Sequence, residues 1–493
     1  MRNKISLVLA GLLGSELLVA DEASAQQATQ APSEAKKTLG GFFDGMEAKG
    51  FARARYTTID GAGGTGADQQ YRMKLDITTG KVDGYSFTGG MMFNYGTTAV
   101  TPASHSNGAA QGSMATIIGK GYNDRFGIAT FSVNKEIISE SSKTEFNVGR
   151  LNLSTVFTNN TTDLGTGGKV RLKTNGGITY GADVYGSWIT SHVMYNLRDS
   201  AFGGLTNNTS SNNTSVGGFN HYNGSLGNDL LMLSIKGEKV GDSGLSFNAS
   251  LGYANRLLDY LAFVDAKYDF GGFYVLGQVS AAGMASNPNF MTGGGDKLVN
   301  NWVAVSQSQL GQGEFNGFGS NSEWAKTRGI YNIQVGYKSK EAPVSAKLGY
   351  LGSFGDGYGT LLDSRGGIDI VGKFWVDNYD ATNEGFGFMG AGGRKGTSIQ
   401  VAYAAIDYAF AKSWKIGLDY SYVTGNNNYP FVRAAVSQAA KNAALAGKGV
   451  SFHEVAPSIT FKPIKNITAV ALYARNFGDV NYGKGLFEIR YDF

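Results

Sequence analysis

The eight residues KIGLDYSY at positions 415–422 alternate between two kinds of side chain. The even positions hold isoleucine, leucine and tyrosine, whereas the odd positions hold lysine, glycine, aspartate and serine. Successive side chains of a β-strand point to opposite faces, so this period of two predicts a strand with one apolar and one polar face. The same alternation recurs at 69–79, 245–254, 260–269 and 344–351.

The composition favours many strands and excludes several other classes of protein. The 493 residues include 72 Gly, 26 Tyr and 29 Phe but only 7 Pro and no Cys. Helical periodicity is almost absent after residue 47, so the length does not indicate several soluble domains. The lack of Cys excludes disulfides and Cys-ligated metals. The formal net charge of +4 is too small for a nucleic-acid-binding surface.

Segments with this alternation recur along the whole chain, and the lengths of their connections form a second pattern. We identify eighteen of these segments as strands, and the count is accurate to within two. Short connections mostly alternate with long ones, the long ones being 97–123, 191–228, 283–326, 353–397 and 425–448. This pattern predicts an all-β fold, a transmembrane antiparallel β-barrel of about 18 strands with short periplasmic turns and long extracellular loops. The strand-like stretch 368–376 is assigned to the loop 353–397, because counting it would make the strand number odd.

The first 46 residues are predicted to lie outside the barrel. Residues 1–25 have the features of a signal peptide, with a basic start, a short apolar core and an A-x-A site at Ala23-Ser24-Ala25. Cleavage after Ala20 is the alternative. Residues 26–46 form a periplasmic lead-in, either a short helix or a flexible segment, and the barrel extends over 47–493.

Lipid offers no hydrogen-bond partners, so a chain without apolar helices can cross a membrane only as a closed barrel. At about eighteen strands the interior is too wide to be filled by side chains and holds water. The sequence therefore predicts an outer-membrane porin, a diffusion channel for ions and small hydrophilic solutes with outer-membrane lipid around it.

Basic residues fall in the polar phase of three strands that a closed barrel brings together. They lie on the first strand, the second strand and the last strand: Arg53, Arg55, Arg72, Lys74 and Arg490. We expect them to form a basic wall of the pore that acts electrostatically on solutes. The alternative is that they are solvated side chains without a role in selectivity.

The loop NLSTVFTNNTTDLGTG, residues 152–167, is expected to fold into the bore and to narrow it. Asp163 is its only charge and is expected to face the basic wall, while Gly165 and Gly167 would allow a tight return of the chain.

The segment GRLNLSTVFTNNTTDLGTGGKV at 149–170 resembles the major outer-membrane protein family of Campylobacter and Helicobacter relatives, as do GFARARY at 50–56 and AFVDAKY at 262–268. The resemblance implies an 18-stranded, typically trimeric, cation-preferring porin and allows a bound calcium ion without indicating its ligands. The basic wall and the net charge instead favour a weak anion preference. By position, the resemblance assigns eight residues to the constriction loop and its exit: Phe157, Thr158, Asn160, Asp163, Gly165, Thr166, Gly167 and Lys169.

The last strand carries a second resemblance. Its alternating apolar residues resemble the assembly signal of bacterial outer-membrane proteins: Phe487, Ile489, Tyr491 and Phe493. This implies insertion by the outer-membrane assembly machinery.

No catalytic or metal-binding pattern accompanies these features. The four His residues show no metal spacing, and His453 has no serine context for hydrolysis, so we expect no enzyme activity. The acidic cluster Asp377, Asp380 and Glu384 lacks the spacing of an EF-hand. The alternative function is an outer-membrane adhesin that binds host surface molecules through the extracellular loops 191–228 and 283–326.

Overall fold

The structure is a computed structural model that describes most of the strands and short turns. The described residues are 38–61, 64–99, 126–158, 164–189, 230–254, 258–284, 325–338, 343–360, 362, 366–373, 375, 395–426, 450–479 and 481–493. The expected signal peptide, and most of the long outer loops, lie outside them.

Eighteen strands account for nearly all of the regular structure in the described residues, and their alternation of apolar and polar side chains explains why they form. They are β1 Glu47–Gly61, β2 Gly64–Thr78, β3 Tyr85–Ala99, β4 Phe126–Ile138, β5 Ser142–Asn152, β6 Leu164–Thr174, β7 Ile178–Ile189, β8 Leu230–Gly237, β9 Leu245–Ala254, β10 Leu258–Phe270, β11 Phe273–Met284, β12 Thr327–Lys338, β13 Val344–Gly355, β14 Gln400–Ala411, β15 Trp414–Gly425, β16 Val450–Phe461, β17 Ile467–Gly478 and β18 Tyr482–Asp492.

Each strand pairs antiparallel with the next one along the chain, and β18 pairs with β1. The sheet is therefore closed, which leaves no strand edge with unpaired backbone groups. Gly50 seals the junction, because its N–H donates to the carbonyl oxygen of Phe493 at 2.8 Å and its own carbonyl accepts from the N–H of Phe493 at 3.1 Å. The prediction of an 18-stranded antiparallel barrel is confirmed.

The short turns join neighbouring strands at one rim. Between β2 and β3, Val82 and Tyr85 exchange two backbone hydrogen bonds of 2.8 and 2.9 Å. Asp83 and Gly84 between them have φ angles of 50° and 77°, the left-handed conformation that two-residue hairpin turns require.

A six-residue helix, α1 (Thr38–Phe43), precedes β1 at the same rim. The carbonyl oxygen of Phe42 accepts a hydrogen bond from the N–H of Gly80 at 2.9 Å. The ring centroids of Phe42 and Phe87 are 5.5 Å apart. The structure thus shows a short helix in the second half of the lead-in. None of the helices in the described residues is long and apolar enough to cross a bilayer.

Candidate channel and its lining

The barrel wall has two chemically different faces. On β1, Arg53 and Thr57 point inward and are buried, whereas Ala54 and Tyr56 point outward and are exposed. Paired residues of adjacent strands share a face, so this division continues around the ring. The outward face carries large exposed apolar side chains on most strands, such as Phe131, Leu251, Ile333, Leu348 and Ile406.

Aromatic side chains concentrate on the outward face beside the short turns. The rings of Phe270, Phe273 and Tyr337 form a chain with centroid distances of 6.2 and 4.9 Å. Trp414 stacks on Phe461 at 4.3 Å. Aromatic girdles of this kind mark the boundary between the apolar band and the headgroups in outer-membrane barrels. The short-turn rim therefore lies at a membrane–water interface.

The structure brings the five residues of the expected basic wall onto adjacent strands of the inner face. Arg53 on β1 is directly paired with Arg72 on β2 and with Arg490 on β18. These three arginines form one row across the junction that closes the barrel. Arg55 lies two residues further along β1, and Lys74 lies two residues further along β2.

Carboxylates stand among these cations. Glu488 on β18 binds Arg55 at 2.6 Å and lies 3.7 Å from the guanidinium of Arg53. Arg490 is 2.7 Å from Asp492, and Lys74 is 3.3 Å from Asp76. Five cations and three carboxylates leave this group with a net charge of +2. The sequence contained the signal, because all three carboxylates are in the same alternating phase as the cations.

The described part of the loop after β5, residues 153–158, lies inside the barrel. Leu153, Phe157 and Thr158 are almost completely buried. The Thr158 hydroxyl donates to the carbonyl oxygen of Leu153 at 2.6 Å, which closes a compact turn. The ring of Phe157 contacts that of Phe263 edge to face, with centroids 6.3 Å apart. Phe263 faces inward from β10, so the loop extends well across the ring of strands.

The predicted loop boundary at residue 167 is wrong. β6 begins at Leu164, so Gly165, Thr166 and Gly167 belong to a strand and pair with β5. The two glycines allow neighbouring parts of the chain to pack closely against the backbone. They do not form a tight turn. A Cβ at Gly167 would lie 1.9 Å from the carbonyl oxygen of Val184, and one at Gly165 would lie 2.7 Å from the side chain of Leu153.

Of the three remaining residues that the resemblance assigns to the constriction loop and its exit, the structure describes Lys169. Lys169 faces inward from β6, and its ammonium is 3.1 Å from the hydroxyl of Ser154 in the loop. Asn160 and Asp163 lie outside the described residues, so the expected approach of Asp163 to the basic wall stays a prediction. Lys74 of that wall does reach the loop's start, 2.5 Å from the side-chain oxygen of Asn152.

A second segment lies inside the barrel, although its sequence position assigns it to the outer loop 353–397. It comprises the described residues among 366–375, and we call it the lumen ribbon. Gln278 on β11 holds its first part: the side-chain amide donates to the carbonyl oxygen of Gly367 and accepts from the N–H of Asp369, both at 2.9 Å. Asn332 on β12 donates to the carbonyl oxygen of Asp369 at 2.9 Å.

The other part of the lumen ribbon is bound to β15 and β16. The hydroxyl of Ser421 donates to the carbonyl oxygen of Val371 at 3.0 Å. The carboxylate of Glu454 accepts from the N–H of Lys373 at 2.6 Å and from the N–H of Trp375 at 2.8 Å. Side chains of the wall therefore supply the hydrogen bonds that a neighbouring strand would supply. This explains why the stretch 368–376 looks like a strand in sequence although its described residues belong to none.

Ion pairs accompany these hydrogen bonds. Lys347 on β13 is 2.5 Å from Asp369, and Lys373 is 2.9 Å from Asp419 on β15. Each pair joins one charge of the lumen ribbon to an opposite charge on the wall. This side of the lumen is therefore locally neutralised.

The two inward segments touch each other. The N–H of Gly367 in the lumen ribbon donates to the carbonyl oxygen of Val156 in the β5–β6 loop at 2.7 Å. A Cβ at Gly367 would lie 2.9 Å from the side chain of Val156. Together they make a continuous bridge of chain inside the barrel, between the basic wall and the neutralised side.

The residues of the expected assembly signal occupy the outward face of β18. Phe487, Ile489 and Tyr491 are exposed there, and the ring of Tyr491 lies 5.7 Å from that of Phe493. His453 also faces outward, and its Nδ1 is 2.8 Å from the hydroxyl oxygen of Tyr420.

No group of three or more His, Cys, Asp or Glu side chains that could hold a metal ion occurs among the described residues. Asp377, Asp380 and Glu384 lie outside them, as do the loops on which the adhesin alternative depends. The calcium ion therefore stays a prediction.

Comparisons by sequence give no relatives: no family model matches the chain, and no curated protein matches it. Comparison with solved structures, in contrast, finds proteins with a similar fold. OccAB2 of Acinetobacter baumannii has a TM-score of 0.53 at 11% identity, over 92% of this chain and 99% of that one. The outer membrane protein OpdK of Pseudomonas aeruginosa has a TM-score of 0.52 at 10% identity, over 92% and 100%.

A third structure, OccK2 (OpdF) of Pseudomonas aeruginosa in complex with glucuronate, has a TM-score of 0.51 at 8% identity, over 92% of this chain and 97% of that one. At these identities the likeness concerns the fold alone. The fold of this chain is that of an 18-stranded outer-membrane β-barrel.

Proposed function

We propose that this chain is an outer-membrane porin, a water-filled channel through which ions and small hydrophilic solutes diffuse passively. One observation carries the proposal: a closed ring of eighteen strands has an apolar outer face and a charged inner face. The outer face matches lipid, and charged inner residues need water or a polar solute. An interior lined in this way through a bilayer is a pore.

The inner surface indicates which solutes pass most readily. The row Arg490, Arg53 and Arg72 belongs to a group of net charge +2, whereas the charges that join the lumen ribbon to the wall are paired. The field across the bore therefore points away from the basic wall. We propose a weak preference for small anions over cations, in contrast to the cation preference that the family resemblance implies.

Recording in planar bilayers tests this function. The purified, folded chain in a gradient of KCl is expected to give stepwise conductance increases and a reversal potential of the sign for chloride preference. A boiled sample of the same preparation is the control. Absence of conductance steps in bilayers that contain verified folded barrel would refute the channel, whereas a cation-selective reversal potential would refute only the anion preference.

We also propose a trimeric assembly and insertion by the outer-membrane assembly machinery. The outward residues of β18, with Tyr491 and Phe493 at the short-turn rim, support recognition by that machinery. Crosslinking of the chain in outer membranes, followed by gel electrophoresis without boiling, is expected to show a species of three times the monomer mass. A monomer as the sole product at saturating crosslinker would contradict the trimer.

A further inference from the structure

Only two of the eight short turns at this rim carry a net positive charge. The turn between β14 and β15 contains Lys412, and the turn between β16 and β17 contains Lys462 and Lys465, without any acidic residue in either. The other six turns each carry a net charge of zero or −1, because they contain no charged residue or at least one acidic residue. Among the short turns, net positive charge is therefore found only in these two neighbouring ones.

These two turns are held together as one structural unit. The N–H of Lys462 donates to the carbonyl oxygen of Ser413 at 2.8 Å, which links the turns through their backbones. Trp414 stacks on Phe461 with ring centroids 4.3 Å apart. The three lysine side chains are exposed. Within the described part of the chain, none of the three has an ion-pair partner.

Apolar side chains lie at the same level as the lysines. Ile464 stands between Lys462 and Lys465 and is 57% exposed, although it is in a turn. Phe410 and Trp414 flank Lys412 on the outward face. Exposed aromatic and aliphatic side chains beside cations are typical of surfaces that enter the headgroup layer of a membrane.

We propose that Lys412, Lys462 and Lys465, with Trp414 and Ile464, bind the headgroups of anionic phospholipids in the leaflet that faces the short turns. The lysine ammonium groups pair with the headgroup phosphates, while the indole and the isoleucine enter the upper acyl region. Each lysine near an anionic membrane surface adds to the electrostatic attraction. This sector of the wall then faces lipid, so contacts between subunits of an oligomer lie elsewhere on the ring.

Fluorescence quenching tests the lipid site without measuring conduction, so its failure would leave the channel function untouched. The folded chain is placed in phosphatidylethanolamine vesicles with a minor fraction of brominated phosphatidylglycerol, or of brominated phosphatidylethanolamine at the same fraction. Trp414 is the reporter, identified by the signal that the Trp414→Phe variant loses. We expect brominated phosphatidylglycerol to quench with an apparent affinity on the order of tenfold higher, with a preference that falls in high salt.

The triple variant Lys412→Glu, Lys462→Glu, Lys465→Glu is expected to lose the preference. The matched control Lys173→Glu, Lys236→Glu, Lys239→Glu makes the same change in net charge near the β6–β7 and β8–β9 turns and is expected to keep it. Migration on gels without boiling verifies that each variant is folded. Equal quenching by both lipids in the unaltered chain, or equal loss in both triple variants, would overturn the proposal.

Discussion

Glu454 on β16 binds the backbone of Trp375, a residue 79 positions earlier in the chain, through a hydrogen bond of 2.8 Å from the Trp375 N–H. Its other carboxylate oxygen accepts from the N–H of Lys373 at 2.6 Å. One side chain of the wall thus fixes two points of the lumen ribbon. The position of the ribbon, and with it the open cross-section of the bore, depends on this carboxylate.

Replacement of Glu454 by Gln is therefore expected to make the open channel noisier. An amide has one acceptor oxygen, so one of the two N–H groups would face an NH₂ group, at a cost of about 1–3 kcal/mol. The loosened ribbon would move within the lumen and cause brief closures in single-channel records. Asp407→Asn is the matched control, because Asp407 also faces inward but pairs with Lys415. Current noise as low as in the unaltered channel would contradict the anchoring role.

The double substitution Arg53→Glu and Arg72→Glu is expected to shift the reversal potential toward cation preference. These residues are direct neighbours in the row across the closing junction, so the change reverses the local field. Lys267→Glu is the control, since Lys267 faces the lumen from β10 and pairs with Asp269 at 2.7 Å. A shift no larger than that of the control would mean that solutes do not pass the basic wall.

Phe157→Ala and Phe263→Ala are each expected to raise single-channel conductance. The edge-to-face contact of the two rings holds the β5–β6 loop across the bore, and loss of a buried phenylalanine costs about 3–5 kcal/mol. Because the rings touch, the double variant should add little to either single variant. Phe131→Ala, on the outward face, should leave conductance unchanged. Conductance in Phe157→Ala equal to that of the unaltered chain would show that the loop does not narrow the pore.

Gly50→Ala is expected to reduce the yield of folded barrel. A Cβ at this position would lie 2.0 Å from the backbone carbonyl oxygen of Lys74, and Gly50 also makes the hydrogen bonds to Phe493 that seal the ring. Gly277→Ala is the control, because nothing lies within 4 Å of a Cβ there. The measurement is the fraction of protein that refolds in detergent, read as the heat-sensitive band on a gel. Equal folded fractions for the two variants would contradict the steric argument.

The alternation of apolar and polar side chains within each segment was sufficient to predict the strands of the barrel wall. Each strand shows its two faces in its own sequence, as in residues 415–422, so strand number, antiparallel order and the inward phase of Arg53 and Arg72 could all be predicted. The closing of the ring could also be inferred, because a barrel in lipid leaves no edges. That inference alone placed Arg490 beside Arg53, hundreds of residues away.

The bore's contents could not be predicted in the same way. Gly165 and Gly167 are typical turn residues in sequence, but they pair with β5 as part of β6, where Leu153 and Val184 leave no space for a Cβ. The lumen ribbon has the alternation of a strand, but its partners are side chains such as Gln278 and Glu454 on distant strands.

The sequence by itself determined that this chain is a closed barrel with an apolar outside and a charged inside, because the period of two acts on each strand separately. Only the tertiary structure decided what occupies the interior. The hydrogen bonds that fix Asp369 and Trp375 depend on where β11 and β16 stand around the ring, and that placement follows from the closure of all eighteen strands.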